Sequence, residues 1–154
     1  MTTPPRHPDP RVARVIAFFE GLTPADLDRL DTLYADAAHF RDPFNAVTGV
    51  PAIRTVFAHM FATLQAPRFV VREVVADAGG AQCFLTWDFL FVAPRLGLGT
   101  QTIHGGSLLR FGADGRLVLH RDYWDAAEEL YAKLPVVGAL MRWLRRQAQG
   151  ASSS

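Results

Sequence analysis

The chain holds one cysteine, Cys83, among 154 residues. An internal disulfide is therefore excluded, and so is a cysteine-based zinc cluster. Its neighbours Phe84 and Leu85 mark Cys83 as a small buried hydrophobe rather than a reactive thiol. Excess charge is equally scarce. A formal net charge of +1 leaves nothing to neutralise a run of phosphates, so no nucleic-acid partner is expected. No apolar run approaches the ~20 residues that cross a bilayer. The opening Met1 to Pro10 is rich in proline and polar residues and has no apolar signal segment, which makes a cytoplasmic protein the expectation. Missing too are a glycine-rich phosphate loop, a serine-nucleophile motif and any set of histidines and acids at metal-ligand spacing. Neither a cofactor nor a metal is expected.

What is there suits one packed domain. Hydrophobic residues make up 49% of the chain and charged residues 20%, a balance that supports a core. Residues 1–10 and 150–154 read as disordered ends, 11–125 as the domain, and 126–149 as a helical extension.

The periodicity changes once along the chain. Val12, Val15, Ile16 and Phe19 recur at helical spacing, and Gly21 closes that turn. Thr23-Pro24 starts a second helix with Leu27, Leu30, Leu33 and Tyr34 on its apolar stripe. A short extended piece, 38–43, precedes a third helix over 49–64 that carries Ile53, Val56, Phe57, Met60 and Phe61. Beyond Pro67 the pattern becomes that of strands, over 69–75, 82–92, 100–111 and 116–124, with hairpin signals at Gly79-Gly80 and Asp114-Gly115. Helices first and hairpin-linked strands afterwards predict an α+β domain with an antiparallel sheet. Asp125 with Glu128 caps a further helix, and Pro135 kinks or restarts it. Val137, Leu140, Met141 and Leu144 then form a stripe beside Arg142, Arg145 and Arg146. That stripe either closes the domain, or forms a lid or a basic surface for a membrane or partner.

Three stretches carry a family likeness. They are Leu33 to Ala38 running into Arg41-Asp42-Pro43; Gly49 followed by Ala52-Ile53-Arg54 and Phe57; and Leu109-Arg110-Phe111, the Asp114-Gly115-Arg116 turn and Tyr123-Trp124. In order and spacing the chain resembles the nuclear transport factor 2-like superfamily, in the branch of ketosteroid isomerases and SnoaL-like polyketide cyclases. The resemblance implies a strongly curved antiparallel sheet wrapped by helices into a cone, with an apolar pocket at its open end. It also implies a homodimer, through the sheet face that carries Thr86, Asp88, Leu90, Leu108 and Arg110.

Candidate chemistry falls on three residues. The resemblance puts Asp42 at the general-base position of the isomerases, whereas an aspartate before proline also suits a turn that binds its own backbone. Alternation along the last strand puts His120, Asp122 and Trp124 on one face. The matching tryptophan in the isomerases lines the pocket, so His120 and Asp122 become either an acid/base pair in it or two polar residues satisfying each other at its rim. Leu85, Trp87 and Phe89 alternate likewise and face the cavity or the core, with Asp88 opposite; Phe44 closes the mouth, and Tyr34 and Phe57 complete the lining. His104 faces outward under strict alternation unless a bulge at Gly105-Gly106 reverses it, and His39 and His59 read as surface or packing residues. By the resemblance, the isomerase oxyanion donors fall on or beside Phe18, and on Ser107, here. Phenylalanine donates no hydrogen bond, so standard steroid isomerisation is not expected. The expected ligand is a small apolar molecule. The protein is then an acid/base isomerase, cyclase or hydrolase, or else a non-catalytic ligand-binding or dimerisation module.

Overall fold

The computed structural model describes residues 6–129 and 135–150. Helix α1 (Pro10–Glu20) opens on Asp9, whose side chain accepts from the Arg11 backbone N–H, with proline in the first turn. Its predicted stripe Val12, Val15, Ile16 and Phe19 is buried. Residues 6–9 belong to the fold rather than to a disordered end. Arg6 pairs with Glu20 and donates to the Val71 carbonyl, and Glu20 accepts from the Val71 N–H.

The second predicted helix is shorter than its stripe suggests. A 3-10 turn over Pro24–Arg29 leads into one α turn, α2 (Leu30–Leu33). Tyr34 already starts strand β1 (Tyr34–Arg41), which a bend and β2 (Ala46–Thr48) follow. Gly49 then turns the chain into α3 (Val50–Thr63) with φ of +94°, a region that side chains rarely tolerate. Its N–H ties back to the Ala38 carbonyl at 2.8 Å.

Four long strands follow: β3 (Gln65–Ala76), β4 (Gln82–Ala93), β5 (Leu98–Phe111) and β6 (Leu117–Tyr123). All three pairings among them are antiparallel. The sheet is curved and unclosed, in the order β2-β1-β6-β5-β4-β3. One pairing departs from the antiparallel expectation: β1 lies parallel to β6, with Phe40 opposite His120 and Arg41 opposite Arg121. Helices α1 and α3 cover the concave side, where Leu30, Tyr34, Ile53, Leu85, Leu109 and Leu117 are fully buried.

Beyond β6, Asp125 accepts from the backbone N–H groups of Ala127 and Glu128 and so caps α4 (Ala126–Glu129). The predicted continuation to residue 134 lies outside the described residues. Helix α5 is described over Pro135–Gly150, so residues 135–138, where the sequence suggests a kink or restart after Pro135, are helical. Two members of the predicted packing stripe, Leu140 and Leu144, are exposed, and so is Trp143. The described part of that stripe does not close the domain. No helix among the described residues is long and apolar enough to cross a membrane.

Candidate functional site

Alternation in β4, β5 and β6 delivers one set of side chains to the concave face. Register sets Leu85 opposite Ser107, Trp87 opposite Gly105, and Ser107 opposite Asp122. Gly105 has a steric reason to be glycine. A Cβ there would lie 2.5 Å from the Trp87 ring, so the bare backbone lets the indole lie across β5. From that position Trp87 Nε1 donates to Ser107 Oγ at 2.8 Å.

A chain of hydrogen bonds continues from there. Indole N–H is a donor only, so Ser107 accepts from Trp87 and its own hydroxyl donates to Asp122 Oδ1 at 2.5 Å. The same Oδ1 lies 2.6 Å from His120 Nε2. His120 Nδ1 lies 2.6 Å from the Tyr34 hydroxyl. Burial, and then the charge of Asp122, push the Tyr34 phenol well above its usual range, so it stays protonated. Asp122 Oδ1 accepts, so His120 carries a proton on Nε2. Donors therefore converge on Asp122 Oδ1 from both sides, and Oδ2 carries no hydrogen bond from the described residues. His120 is itself 4% exposed, caged by the rings of Phe19, Tyr34 and Phe40.

Two cavities meet at Asp122. The inner one, of about 30 Å³, has His120, Asp122 and Ser107 on one side and Phe19, Phe57, Phe69, Leu85 and Trp87 around the rest. It has room for a water molecule. The outer cavity, of about 260 Å³, opens to solvent between α3 and the sheet. Phe57, Trp87, Phe89, Asp42, Asp122 and Trp124 line it, and Phe44 stands at its mouth, edge-on to Trp124 at 5.5 Å. Asp42 and Asp122 follow the paired Arg41 and Arg121, so the parallel β1–β6 pairing brings both carboxylates to this cavity.

The two aspartates are held differently. Asp42 Oδ1 accepts from the Phe44 and Asn45 backbone N–H groups and from Asn45 Nδ2, and its Oδ2 also accepts from Asn45 Nδ2. Its carboxylate is engaged by its own turn, with Asn45 as the holder that the sequence reading missed. Asp122 is fixed on one oxygen only.

Of the expected lining residues, Phe44, Phe57, Leu85, Trp87, Phe89, Ser107 and Trp124 line one cavity or both. Phe18 does not, and Phe19 takes that place. Residue 19 lies on the apolar stripe of α1, whereas residue 18 is turned by one helical step and packs edge-on against the Phe19 ring. Tyr34 lies behind His120 rather than on a cavity wall. Ser107 is spent on Asp122, so it does not serve as a donor to a ligand oxyanion. His104 points outward, because β4 and β5 stay in register through Gly105-Gly106, and it binds Asp88 on the outer face. His39 is on the surface, bonded to Thr48; His59 is exposed and borders the outer cavity. The lining residue Phe91 was within reach of the sequence, since it continues the Leu85, Trp87, Phe89 alternation.

Comparison with known proteins agrees with this architecture. The chain belongs to the SnoaL-like domain family, whose model matches residues 15–120. No curated protein sequence matches it. Among solved structures it is similar to an M. tuberculosis LEH-like epoxide hydrolase, at 21% identity over 80% of this chain and 88% of that one, with a TM-score of 0.64. A Catenulispora acidiphila protein with a ketosteroid isomerase-like fold, in complex with trimethylamine, is 18% identical over 86% of this chain and 94% of its own, with a TM-score of 0.67. SalBIII, an epoxide hydrolase/cyclase-like enzyme of pyran ring formation in the polyether salinomycin, is 15% identical over 75% and 90%, with a TM-score of 0.65. Likeness at these identities establishes the shared nuclear transport factor 2-like fold.

Proposed function

We propose that the protein is an acid/base enzyme that acts by proton transfer on a small, largely apolar molecule seated in the outer cavity. Asp122 is its general base. One observation carries this reading: Asp122 lines both cavities, its Oδ1 is fixed by Ser107 and His120, and its Oδ2 takes no hydrogen bond from the described residues. A base must be within hydrogen-bond reach of the proton it takes and rigid enough to hold it there.

The inner cavity favours an O–H as the proton source, since it can place a water beside Asp122 and behind the ligand. Removing that proton lets the oxygen form a bond to a strained ring carbon of the ligand. The ring C–O bond breaks, and its oxygen takes a proton from solvent at the open mouth. Water as the nucleophile gives hydrolysis of an epoxide; a hydroxyl of the ligand gives ring closure. Names of two structural relatives, an epoxide hydrolase and an epoxide hydrolase/cyclase-like enzyme, support the same pair of reactions. His120 and Tyr34 position the base. Asp42 shapes the mouth through its turn.

Incubation with a series of apolar epoxides and hydroxy-epoxides in isotopically labelled water tests this reading. Hydrolysis puts the label into a diol, and ring closure yields an unlabelled cyclic ether. Binding of these compounds, read by Trp87 and Trp124 fluorescence, with no turnover of any of them would contradict the enzyme and leave a ligand-binding module.

A further inference from the structure

Among the described residues, helix α5 contributes nothing to the site, and its described large apolar side chains are exposed. Leu140, Trp143 and Leu144 are 54%, 49% and 46% exposed. Spaced by three and four residues, they share one face. Arg142 and Arg146, four apart, share another. The sequence from 135 to 150 contains three arginines and no aspartate or glutamate.

We propose that α5 is an interfacial helix that docks the protein on an anionic lipid surface. Its 16 described residues, about 24 Å, carry three arginines and are too short and too charged to span a bilayer. An apolar face with a tryptophan beside an all-cationic face suits a helix lying in the headgroup plane, its leucines reaching the acyl boundary and its arginines on the phosphates. Charge complementarity selects this occupant over a second copy. Two α5 helices packed apolar face to apolar face would bring their arginine flanks together with no carboxylate on either helix to offset them.

The test is co-sedimentation of the full chain with vesicles of equal parts phosphatidylglycerol and phosphatidylcholine, against vesicles of phosphatidylcholine alone, at low salt. Strong binding to the first and little to the second is expected, falling as salt rises. Arg146→Gln should weaken it about five-fold. The double substitution Leu140→Gln, Leu144→Gln should weaken it roughly ten-fold or more, with little change in melting temperature, because about half of each side chain is already exposed. No binding to anionic vesicles, equal binding to both kinds, or full binding by the double variant would overturn the proposal. So would a wild-type dimer that the double variant converts to monomer, which would assign α5 to a second copy.

Discussion

Ser107 decides which way the hydrogen bonds run around Asp122. With the indole of Trp87 able only to donate, the serine must accept from it and pass its own proton to the carboxylate. Ser107→Ala strands a buried indole N–H and removes one of the two donors on Asp122 Oδ1. It should cost about 1–3 kcal/mol of stability, read from denaturant unfolding. Tyr34→Phe removes the partner of His120 Nδ1 and frees the ring to change tautomer. A similar loss of about 1–3 kcal/mol is expected, together with a displaced pH profile for turnover and an unchanged KM. A stability loss with the pH profile unmoved would make Tyr34 a packing residue only. Cys83 gives a third check at this scale. Burial, with the nearby charge of Asp9, raises its thiol to about 11, so it should resist alkylation at neutral pH until the chain unfolds. Prompt labelling of the native protein would contradict its buried position.

At the scale of elements, glycine and charge hold the sheet in register. Gly105→Ala would force the Trp87 ring off β5. A cost of about 1–3 kcal/mol is expected, with loss of the indole bond to Ser107, measurable by denaturant unfolding and indole proton exchange. On the outer face Asp88 bridges β3 and β5 through Arg72 and His104. The hydrogen bond from His104, then that from Arg72, hold its carboxyl below the ordinary range. A depressed pKa contributes stability above the unfolded carboxylate range, and that stability is lost as pH falls through the folded value. Asp88→Asn should therefore lower the melting temperature near neutrality and converge with wild type in acid; a constant gap at every pH would contradict the bridge.

The same elements show what the sequence could and could not tell. Hairpins were legible because Gly79-Gly80 and Asp114-Gly115 sit between alternating runs; alternation put His120 with Asp122, and Trp87 with Leu85 and Phe89, and the family resemblance singled out Ser107. The parallel β1–β6 pairing was not legible. Alternation fixes which face a side chain takes, and says nothing of which strand 80 residues away lies alongside, or in which direction. That pairing is what brings Tyr34 behind His120 and Asp42 beside Asp122, so the relay was hidden while its members were in view. For Asp42 the sequence left a base and a backbone-bound turn open, and its bonds are those of the turn: the Phe44 and Asn45 N–H groups and the Asn45 amide engage the carboxylate.

At the scale of the whole molecule, the concave face is occupied by the site and the convex face remains. Val75 and Tyr123 are exposed there, on the outward alternation of β3 and β6. We propose a homodimer through this face, with sedimentation at micromolar concentration as its check; a monomer throughout would contradict it. The SnoaL-like fold supplies the cavity, and the relay on its floor supplies a fixed carboxylate with one oxygen to spare. The most direct measurement compares Asp122→Asn with Asp42→Asn on one epoxide that the wild type turns over. Asp122→Asn should bind the compound normally yet lose roughly 10²- to 10⁴-fold in kcat, the usual worth of a general base, while Asp42→Asn stays within a few-fold of wild type. Retained turnover in Asp122→Asn, or a collapse confined to Asp42→Asn, would contradict Asp122 as the base.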